Sequence, residues 1–582
     1  MYLKKINSPS DVKALTSAEL KALAEEMRAA LTKKLSIHGG HCGPNFGMVE
    51  ATIALHYVFN SPEDKIVFDV SHQSYCHKML TGRKDAFLYE EHYDDVTGYS
   101  CPQESEHDFF TIGHTSTSIS LAGGLAKARD LKGGKENIIA VIGDGSLSGG
   151  EALEGLDFAG EMTSNFIIVV NDNDMSIAEN HGGIYKNLKL LRETNGAAES
   201  NLFKAMGLNY TFVKDGNDID ALIKAFQSVK DSSSPVVVHI VTEKGKGLSF
   251  AEKNKEQWHW SAPFDPETGS FKFNFDGENY NSVTAEYFLK KMKADKDVCV
   301  ITSGTPAVSG FSPELRKQAG SQFIDVGIAE EHAVALASGM AKGGAKPFYG
   351  VYSSFIQRTF DQLSQDLCIN ENPVVISVFE ASVYGMSDVT HLGIFDIPMI
   401  SNIPNLVYLA PYTKEEYIAM LDWATEQREH PVAIRVPGGS LVSDGKAVTK
   451  DFGKLNKYEI TQKGGGVAII ALGSFQGLGI KAAAAIEAKT GVAPTVINPY
   501  YITGIDEEML EGLKAEHGTV ITLEDGILDG GFGEKIARFY GSTSMKTINL
   551  GLKKEFLDRY NPDDILKANK LTPEQIAELA AE

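Results

Sequence analysis

Short runs of aliphatic and β-branched residues alternate with helical segments along this chain. Each run has the length of one buried strand, and the clearest are Ile138–Ile142, Phe166–Val170, Val236–Val241, Val374–Val378, Val407–Leu409, Val467–Leu472 and Val520–Leu523. Helical stretches such as Glu151–Glu161 and Ala333–Ala341 lie between such runs. Apolar strands that alternate with helices are typical of parallel sheets with helices on both faces. The pattern therefore predicts an α/β protein.

Two stretches interrupt this alternation and have the composition of linkers. The first is Pro266–Ser282, rich in Gly, Asn and Asp, and the second is Pro437–Lys457, which carries two glycines and a serine at its start. Dividing the 582 residues at these points gives three domains, at about 1–265, 283–440 and 455–582. We expect three doubly wound domains with mostly parallel sheets, in which ligands bind at the carboxyl ends of the strands.

Charge and composition exclude several classes of protein. The chain has 77 acidic and 55 basic residues, a formal net charge of −22. Such a chain repels phosphate backbones, so nucleic acid is a poor candidate partner. No stretch approaches about 18 uninterrupted apolar residues, and no signal-peptide core follows the N-terminus, so we expect no membrane partner. The five cysteines lack paired spacing, which indicates reduced thiols in a cytoplasmic protein.

A glycine-rich turn follows one of the predicted strands. Gly143-Asp144-Gly145 comes directly after Ile138–Ile142, and small residues beginning with Ser146 lead into the next helix. Glycines let backbone N–H groups approach a ligand closely, and the N-terminus of a helix favours phosphate oxygens. A lone Gly-Asp-Gly is usually only a turn. Here a second half of the motif follows at the expected spacing, so a diphosphate-binding site is a better interpretation than a simple turn.

That second half is Asn173, just past the strand Phe166–Val170. Two neighbouring parallel strands would then present Asp144 and Asn173 side by side. A carboxylate, an amide oxygen and a backbone carbonyl, which we assign to Met175, suit Mg²⁺ when diphosphate oxygens and water complete its shell. The sequence therefore predicts magnesium beside a bound diphosphate.

Longer motifs occur along nearly the whole chain: GGHCGPNFG (39–47), DVSHQSYCHKMLTGR (69–83), GHTSTSIS (113–120), GDGSLSGG (143–150), NDNDMSI (171–177), DVGIAEEHA (325–333), YSSFIQR (352–358) and THLGIFD (390–396). With these motifs the chain resembles the 1-deoxy-D-xylulose 5-phosphate synthase family of transketolase-like thiamine diphosphate enzymes. The resemblance implies a diphosphate-binding, a pyrimidine-binding and a transketolase C-terminal domain, in that order. It also implies a homodimer with thiamine diphosphate between the first and second domains.

The resemblance assigns residues to the thiamine ring. Glu330 matches the glutamate that hydrogen-bonds the aminopyrimidine and so activates the thiazolium carbon, a role that suits a carboxylate able to share a proton in a dry site. Glu331 beside it is expected to be a solvated charge at a helix start. Tyr352, Phe355 and Arg358 match the segment that stacks on and holds the aminopyrimidine.

The resemblance singles out five histidines: His41, His72, His114, His259 and His391. In the family such histidines line the substrate channel. The resemblance assigns His41, His72, His259 and His391 to substrate binding and proton transfer, and His72 and His114 to cofactor binding. Imidazole titrates near neutral pH, which suits this chemistry. Without the motifs, each single histidine is equally well explained as structural. Lys244 and Lys246 either help to bind phosphate or form a solvated turn.

The reaction implied by the resemblance joins pyruvate to an aldehyde such as glyceraldehyde 3-phosphate, with loss of carbon dioxide. Isoprenoid or cofactor precursor synthesis would follow if the acceptor is that triose phosphate. The alternative is a transketolase-type transfer of a two-carbon ketol unit from a ketose. A third hypothesis, a catalytically inactive cofactor-binding protein, is disfavoured because Asp144, Asn173 and Glu330 are all present.

The sequence departs from the family at two positions that bind the acceptor's phosphate there. Glu380 and Gly438 stand where the family has arginines. Charge-assisted contacts contribute roughly 1.5–3 kcal/mol each, so losing both would weaken binding of a phosphorylated acceptor on the order of a hundredfold or more. Either other basic residues take over, or the acceptor is not glyceraldehyde 3-phosphate but a non-phosphorylated or otherwise changed one. The segment from Ser176 to Val238 is also shorter than in the family, so we expect its gating role to differ.

Overall fold

The computed structural model describes residues 1–273 and 277–581, which fall into two units. The first unit comprises Met1–Asp276 and Gly327–Ala329, and the second comprises Gly277–Val326 and Glu330–Glu582. Among the helices of the described ranges, none is long and apolar enough to cross a membrane. The cysteines are free thiols, and all except Cys101 are buried.

The first unit contains a parallel sheet and a small ribbon. Its strands are β1 (Gly40–His41), β2 (Lys65–Phe68), β3 (Ile138–Gly143), β4 (Phe166–Asp172), β5 (Asn209–Val213), β6 (Pro235–Val241) and β7 (Trp260–Ser261). Its helices are α1 (Pro9–Lys13), α2 (Ser17–His38), α3 (Gly43–Gly47), α4 (Val49–Val58), α5 (Tyr75–Lys78), α6 (Asp85–Leu88), α7 (Ser118–Lys132), α8 (Gly150–Gly160), α9 (Gly183–Glu193), α10 (Leu202–Ala205), α11 (Ile219–Val229) and α12 (Ser249–Lys253). The parallel sheet has the order β2-β3-β4-β6-β5, and β1 pairs with β7 in an antiparallel ribbon.

Both faces of this parallel sheet are covered. Alternate residues of β3 fall into two separate apolar clusters, Ile138, Ala140 and Ile142 in one and Ile139 and Val141 in the other. Since alternate residues of a strand point to opposite faces, each face has its own core. The register of β3 and β4 pairs Gly143 with Asn171, so the carboxyl ends of these strands are neighbours.

The second unit contains two sheets. Its strands are β8 (Val298–Thr302), β9 (Phe323–Asp325), β10 (Lys346–Tyr352), β11 (Val375–Ala381), β12 (Val407–Leu409), β13 (Val432–Pro437), β14 (Glu459–Gln462), β15 (Gly466–Ala471), β16 (Thr495–Asn498), β17 (His517–Ile527) and β18 (Lys546–Leu552). Its helices are α13 (Tyr280–Ala294), α14 (Pro313–Ala319), α15 (Glu330–Lys342), α16 (Asp396–Ile400), α17 (Lys414–Glu426), α18 (Gln476–Thr490), α19 (Glu507–Leu513), α20 (Phe532–Tyr540), α21 (Pro562–Ala568) and α22 (Pro573–Ala581). One sheet is parallel, in the order β12-β13-β11-β10-β8-β9. The other has the order β14-β16-β15-β17-β18, with β14 antiparallel.

The predicted α/β class with mostly parallel sheets is confirmed, and each of the apolar runs falls on a strand. Strand ends shift by a few residues, as for Val374–Val378 against β11. The limits of the three predicted domains stay a prediction. The contacts divide the chain into two units, and the second unit holds two of the three large sheets.

The predicted linkers are shorter or more structured than the sequence suggests. Helix α13 begins at Tyr280, inside the first stretch, because the Asn279 side chain caps the helix by accepting the Ser282 N–H. Residues 274–276 of that stretch lie outside the described residues. The described chain between β13 and β14 forms no helix or strand. Nevertheless Phe452 is buried there, against the core of the six-stranded sheet, so this segment is packed and is not a free tether.

Candidate functional site

Polar side chains gather at the carboxyl ends of β3 and β4. Asp144 follows β3 and is buried. Its Oδ2 accepts hydrogen bonds from the Met175 N–H at 3.1 Å and from the Asn180 side-chain amide at 2.7 Å. The side-chain oxygens of Asn173 and Asn180 are buried and accept no hydrogen bond from any described residue. We call Asp144, Asn173, Met175 and Asn180 the oxygen cluster.

The carboxyl of Asp144 sits in an unfavourable setting for its charge. Burial raises the pKa of Asp144 well above its usual range, and the carboxylate of Asp172 adds to the rise. Asp172 is compensated differently. Burial also acts to raise its pKa, but His239 and Arg192, at 2.9 and 2.7 Å, outweigh burial and lower it. Asp144 has no comparable ion pair within the described ranges, so a bound cation would stabilise its charged form.

The oxygen cluster fits a hard divalent cation. Mg²⁺ prefers carboxylate, amide and carbonyl oxygens, and buried polar atoms without a partner are rare in folded proteins. The part of the chain that the structure describes has no group of three or more His, Cys, Asp and Glu side chains placed to hold a metal. A cation at Asp144 therefore depends on amide and backbone oxygens, as the sequence predicts for Asn173 and Met175.

The turn after β3 leaves room beside the oxygen cluster. No described atom lies within 4 Å of the point where Gly143 would carry a Cβ. A Cβ on Gly145 would instead lie 2.9 Å from Ser176, so only glycine allows this close approach. The carbonyl of Ser146 accepts a hydrogen bond from the Ser116 hydroxyl at 2.8 Å, which ties the turn to the loop before α7.

That loop carries His114, which is half-buried. Asp69, at the end of β2, fixes the loop by accepting the N–H groups of Ser116 and Ser118 at 2.8 and 2.9 Å. The predicted cofactor residue His114 is thus held next to the N-terminus of α7. The sequence analysis does not single out Asp69, although it begins the quoted motif DVSHQSYCHKMLTGR.

Three predicted histidines lie together in the first unit. The ring centroids of His41 and His72 are 4.9 Å apart, those of His72 and His259 5.1 Å, and those of His41 and His259 5.8 Å. The ribbon of β1 and β7 pairs His41 with Trp260, which brings His259 alongside. We call His41, His72 and His259 the histidine cluster.

Asn45, which the sequence analysis missed, fixes two of these histidines. It is fully buried, and its side-chain amide donates to the backbone carbonyls of His41 at 2.8 Å and His72 at 2.7 Å. Its side-chain oxygen accepts the Tyr75 N–H. A buried asparagine that satisfies three backbone groups is a positioning residue. The position of Asn45 inside the motif GGHCGPNFG was the available signal.

Lys244 connects the histidine cluster to Ser176, the residue after Met175 of the oxygen cluster. Its Nζ donates to the Ser176 carbonyl at 2.5 Å and lies 3.1 Å from His259 Nδ1. Burial lowers the pKa of Lys244 to about 8. Burial likewise lowers the pKa of His259 well below its usual range, and Lys244 adds to that effect. The alternative of a solvated turn is wrong for Lys244, which is 2% exposed, but fits the exposed Lys246.

In the second unit, Glu330 is the first residue of α15 and is 3% exposed. Burial raises the pKa of Glu330 to about 7, although Arg358, whose Nη1 lies 3.6 Å from Glu330 Oε2, opposes the rise. Oε2 is buried and accepts no hydrogen bond within residues 1–273 and 277–581. A carboxyl with a pKa near neutrality and a vacant lone pair is suited to sharing a proton with a ligand.

An aromatic group lies at the end of β10 and beyond. The rings of Tyr352 and Phe355 are 5.3 Å apart and nearly perpendicular, and the ring of Phe355 is 5.5 Å from that of His391. Nδ1 of His391 lies 3.1 Å from Asp388 Oδ1. Burial acts to raise the pKa of Asp388, but its contacts with His391 and Thr390 outweigh burial and lower it to about 2. An ionised Asp388 therefore orients the imidazole.

Comparison with known proteins identifies the relatives of this chain. Residues 3–199 and 194–242 match the family model described as 1-deoxy-D-xylulose-5-phosphate synthase. Residues 278–442 match the transketolase pyrimidine binding domain, and residues 456–576 match the transketolase C-terminal domain. A transketolase structure from Campylobacter jejuni is 17% identical over 97% of this chain and 99% of that one, with a TM-score of 0.45, too low to bear on the fold.

Curated relatives named 1-deoxy-D-xylulose-5-phosphate synthase are similar over almost their full length. The protein from Clostridium perfringens strain ATCC 13124 is 38% identical over 99% of this chain and 98% of its own. The protein from Symbiobacterium thermophilum is 36% identical over 100% of this chain and 94% of its own. The protein from Clostridium beijerinckii is 38% identical over 99% and 98%. The chain therefore belongs to the 1-deoxy-D-xylulose-5-phosphate synthase family, which is of the transketolase type.

Proposed function

We propose that this chain joins pyruvate to an aldehyde with release of carbon dioxide, using thiamine diphosphate and Mg²⁺. Full-length relatives named 1-deoxy-D-xylulose-5-phosphate synthase support the reaction class. The transketolase-type domains imply thiamine diphosphate as the cofactor. The observation that carries the proposal is Glu330, a buried carboxyl with a raised pKa and one oxygen that lacks a donor among the described residues.

The oxygen cluster is the proposed magnesium site. Asp144 supplies the carboxylate, Asn173 an amide oxygen and Met175 its carbonyl, and Asn180 joins them because its own oxygen is also buried without a donor. The diphosphate is expected against Gly143, Gly145 and Ser146, with His72 and His114 as further contacts. The open space at Gly143 supports this assignment.

Thiamine diphosphate, when bound, supplies the carbon nucleophile and the electron sink that decarboxylation of a 2-keto acid requires. The protein supplies proton positioning. The Glu330 carboxyl would hold the aminopyrimidine by a hydrogen bond and share a proton with it, and Arg358 keeps Glu330 in place. Tyr352 and Phe355 would offer aromatic rings to the flat heterocycle.

The histidine cluster is proposed to bind substrate oxygens and move protons. A lowered pKa keeps His259 neutral near pH 7, so its ring nitrogen accepts a proton from a hydroxyl group. Lys244 beside His259 favours that neutral form. His41 and His72 lie within ring contact of His259 and complete the set, and His391 has the same proposed role in the second unit.

The test is release of labelled carbon dioxide from pyruvate with purified protein, thiamine diphosphate and Mg²⁺. We expect an aldehyde to stimulate release and a carbon–carbon joined product to form. Glu330→Gln keeps the shape of the side chain but removes its ionisable proton, so it should lower release by roughly a hundredfold or more. Omitting Mg²⁺ should lower it as well.

Glu331→Gln is the matched control, because Glu331 is the next residue on the same helix and is partly exposed, whereas Glu330 is buried. We expect it to retain most of the activity. No release with any aldehyde, from protein that has bound thiamine diphosphate, would overturn the proposal and direct the search to ketose donors and transketolase-type transfer. If the two variants were equally active, Glu330 would not have its proposed role.

A homodimer, a cytoplasmic location and a place in isoprenoid precursor synthesis are further parts of the proposal. The first follows from the family resemblance, the second from the cysteine pattern and the third from the usual acceptor of the family. Each stays a prediction.

A further inference from the structure

Glu380 occupies a position at which ligands bind in sheets of this kind. In the six-stranded sheet, β10 and β13 flank β11, and the register pairs Tyr352 with Phe379 and Ala381 with Pro437. Glu380 therefore lies at the carboxyl end of β11, between the ends of two neighbouring parallel strands. Ligands of open parallel sheets bind at this edge. Glu380 directly follows Phe379, the strand partner of Tyr352, a residue proposed to hold the thiamine ring; burial and the charge of Glu380 both raise the pKa of Tyr352.

The backbone at Glu380 is strained. The pairing of β11 with β13 shifts register between Val378 and Ala381. Glu380 has φ +53° and Ser382 has φ +85°, both in the left-handed region that disfavours side chains with a Cβ. Such conformations persist only where the surrounding structure fixes them, and they cluster at functional sites. The bulge redirects the Glu380 side chain relative to a regular strand.

The carboxylate of Glu380 packs onto the backbone of Gly438. A Cβ at residue 438 would lie 2.7 Å from Glu380 Oε2 and 2.5 Å from the Cα of Gly385. Real Cβ atoms do not approach other atoms this closely. Gly438 has no left-handed φ that would demand glycine, so glycine is needed here for space. A side chain at 438 would meet the Gly385 backbone as well as the Glu380 carboxylate.

No cation compensates Glu380 within the described ranges. Burial raises the pKa of Glu380, and no charged neighbour contributes to that shift. Arg435 lies on the adjacent strand, but Asp396 and Asp525 hold its guanidinium through hydrogen bonds. It therefore cannot serve a ligand at Glu380. Arg435 therefore does not take over the role of the family's arginines.

An anionic group at this position would be repelled. Two like charges about 5 Å apart interact by roughly 3 kcal/mol at an effective dielectric constant of 20, which corresponds to more than a hundredfold in affinity. A hydroxyl group, in contrast, donates a favourable hydrogen bond to a carboxylate. The charge of Glu380 therefore favours a ligand that places a hydroxyl group at this position over one that places a phosphate group there.

We propose that Glu380 is a specificity-determining residue that accepts a hydrogen bond from an uncharged hydroxyaldehyde acceptor and rejects its phosphorylated counterpart. Gly438 provides the space in which this carboxylate sits. The inference rests on the proposed function, because it names the acceptor class of that same carboligation.

The test compares D-glyceraldehyde with glyceraldehyde 3-phosphate as acceptors for labelled pyruvate in the holoenzyme. We expect the wild type to have a kcat/KM at least about tenfold higher for the unphosphorylated aldehyde. Glu380→Gln removes the charge with little change of shape, so the ratio of the two kcat/KM values should fall by about tenfold. Glu380→Asp keeps the charge and should preserve the preference for the neutral aldehyde.

Glu371→Gln is the matched control. Glu371 is also a glutamate with a left-handed φ of +51°, but it precedes β11 and therefore lies at the opposite edge of the sheet. Its substitution should leave the acceptor ratio unchanged. Circular dichroism spectra establish that the variants are folded.

Three results would overturn the inference. The first is a wild type that prefers glyceraldehyde 3-phosphate, which leaves the proposed carboligation intact. The second is an acceptor ratio that Glu380→Gln does not change. The third is a preference for aminoacetaldehyde over D-glyceraldehyde, which would make a cation the partner of the carboxylate. Failure to release carbon dioxide from pyruvate with every acceptor would overturn the proposed function, and this inference with it.

Discussion

At the scale of single residues, the candidate site buries a carboxyl group where its ionised form is unfavourable. Glu330 is buried with a pKa near 7, so in the folded protein it keeps its proton to a higher pH than in the unfolded chain. The folded state then binds more protons than the unfolded state between about pH 4.5 and about pH 7. Its free energy of unfolding therefore falls as the pH rises through that window.

Glu330→Gln should remove this penalty in the protein without cofactor. We expect the variant to gain about 1–2 kcal/mol relative to wild type between about pH 5 and about pH 8. The gain is less than the full shift because Arg358 loses its ion-pair partner. Denaturant unfolding at the two pH values measures it. A difference that stays constant with pH would mean that Glu330 is ionised throughout.

At the scale of elements, the two-residue ribbon of β1 and β7 brings His41 and His259 together. Gly39 enters this ribbon from the end of α2 with φ +77°, and a Cβ there would lie 2.7 Å from the Ser261 carbonyl oxygen. The ribbon therefore depends on a glycine at this position. The histidine cluster in turn depends on the ribbon.

Gly39→Ala should lower carboligase activity by about tenfold or more, because it displaces His259 relative to His41. Gly133→Ala is the matched control: Gly133 also follows a helix, α7, with φ +71°, but its Cβ would have no described atom within 4 Å. We expect this control to lose only about 1 kcal/mol of stability and to keep its activity. Equal losses of activity in both variants would contradict a role of the ribbon.

The elements also show how far the sequence can predict this site. The turn after β3 and Asn173 after β4 are local signals, because the apolar runs reveal where the strands end. Asn45 and Asp69 lie inside quoted motifs, but their roles, like that of Asn180, could not be predicted because each binds backbone or side-chain groups of distant segments. The burial of Lys244 could likewise not be predicted, because the sequence of a turn rich in Gly and Lys does not indicate whether the turn is buried or exposed to solvent.

At the scale of the whole molecule, the net charge of −22 opposes the approach of an anionic donor. Raising the ionic strength from about 0.01 M to about 0.15 M shortens the Debye length from about 30 Å to about 8 Å. We expect kcat/KM for pyruvate to rise by roughly two- to fivefold over this range. Uncharged D-glyceraldehyde is the internal control and should show little change. A fall in kcat/KM for pyruvate with salt would show that a local positive field, such as that of Mg²⁺, governs its approach.

The contact between Glu380 and Gly438 also has an evolutionary consequence. A side chain at 438 would meet the backbone of Gly385 as well as the Glu380 carboxylate, so a change at position 380 alone would not make room for it. Replacing Gly438 alone meets this clash, and replacing Glu380 by a smaller residue leaves a gap and a strained backbone. A lineage that had acquired both residues would need several coordinated substitutions to return. The acceptor preference of this chain would then be difficult to reverse by single mutations.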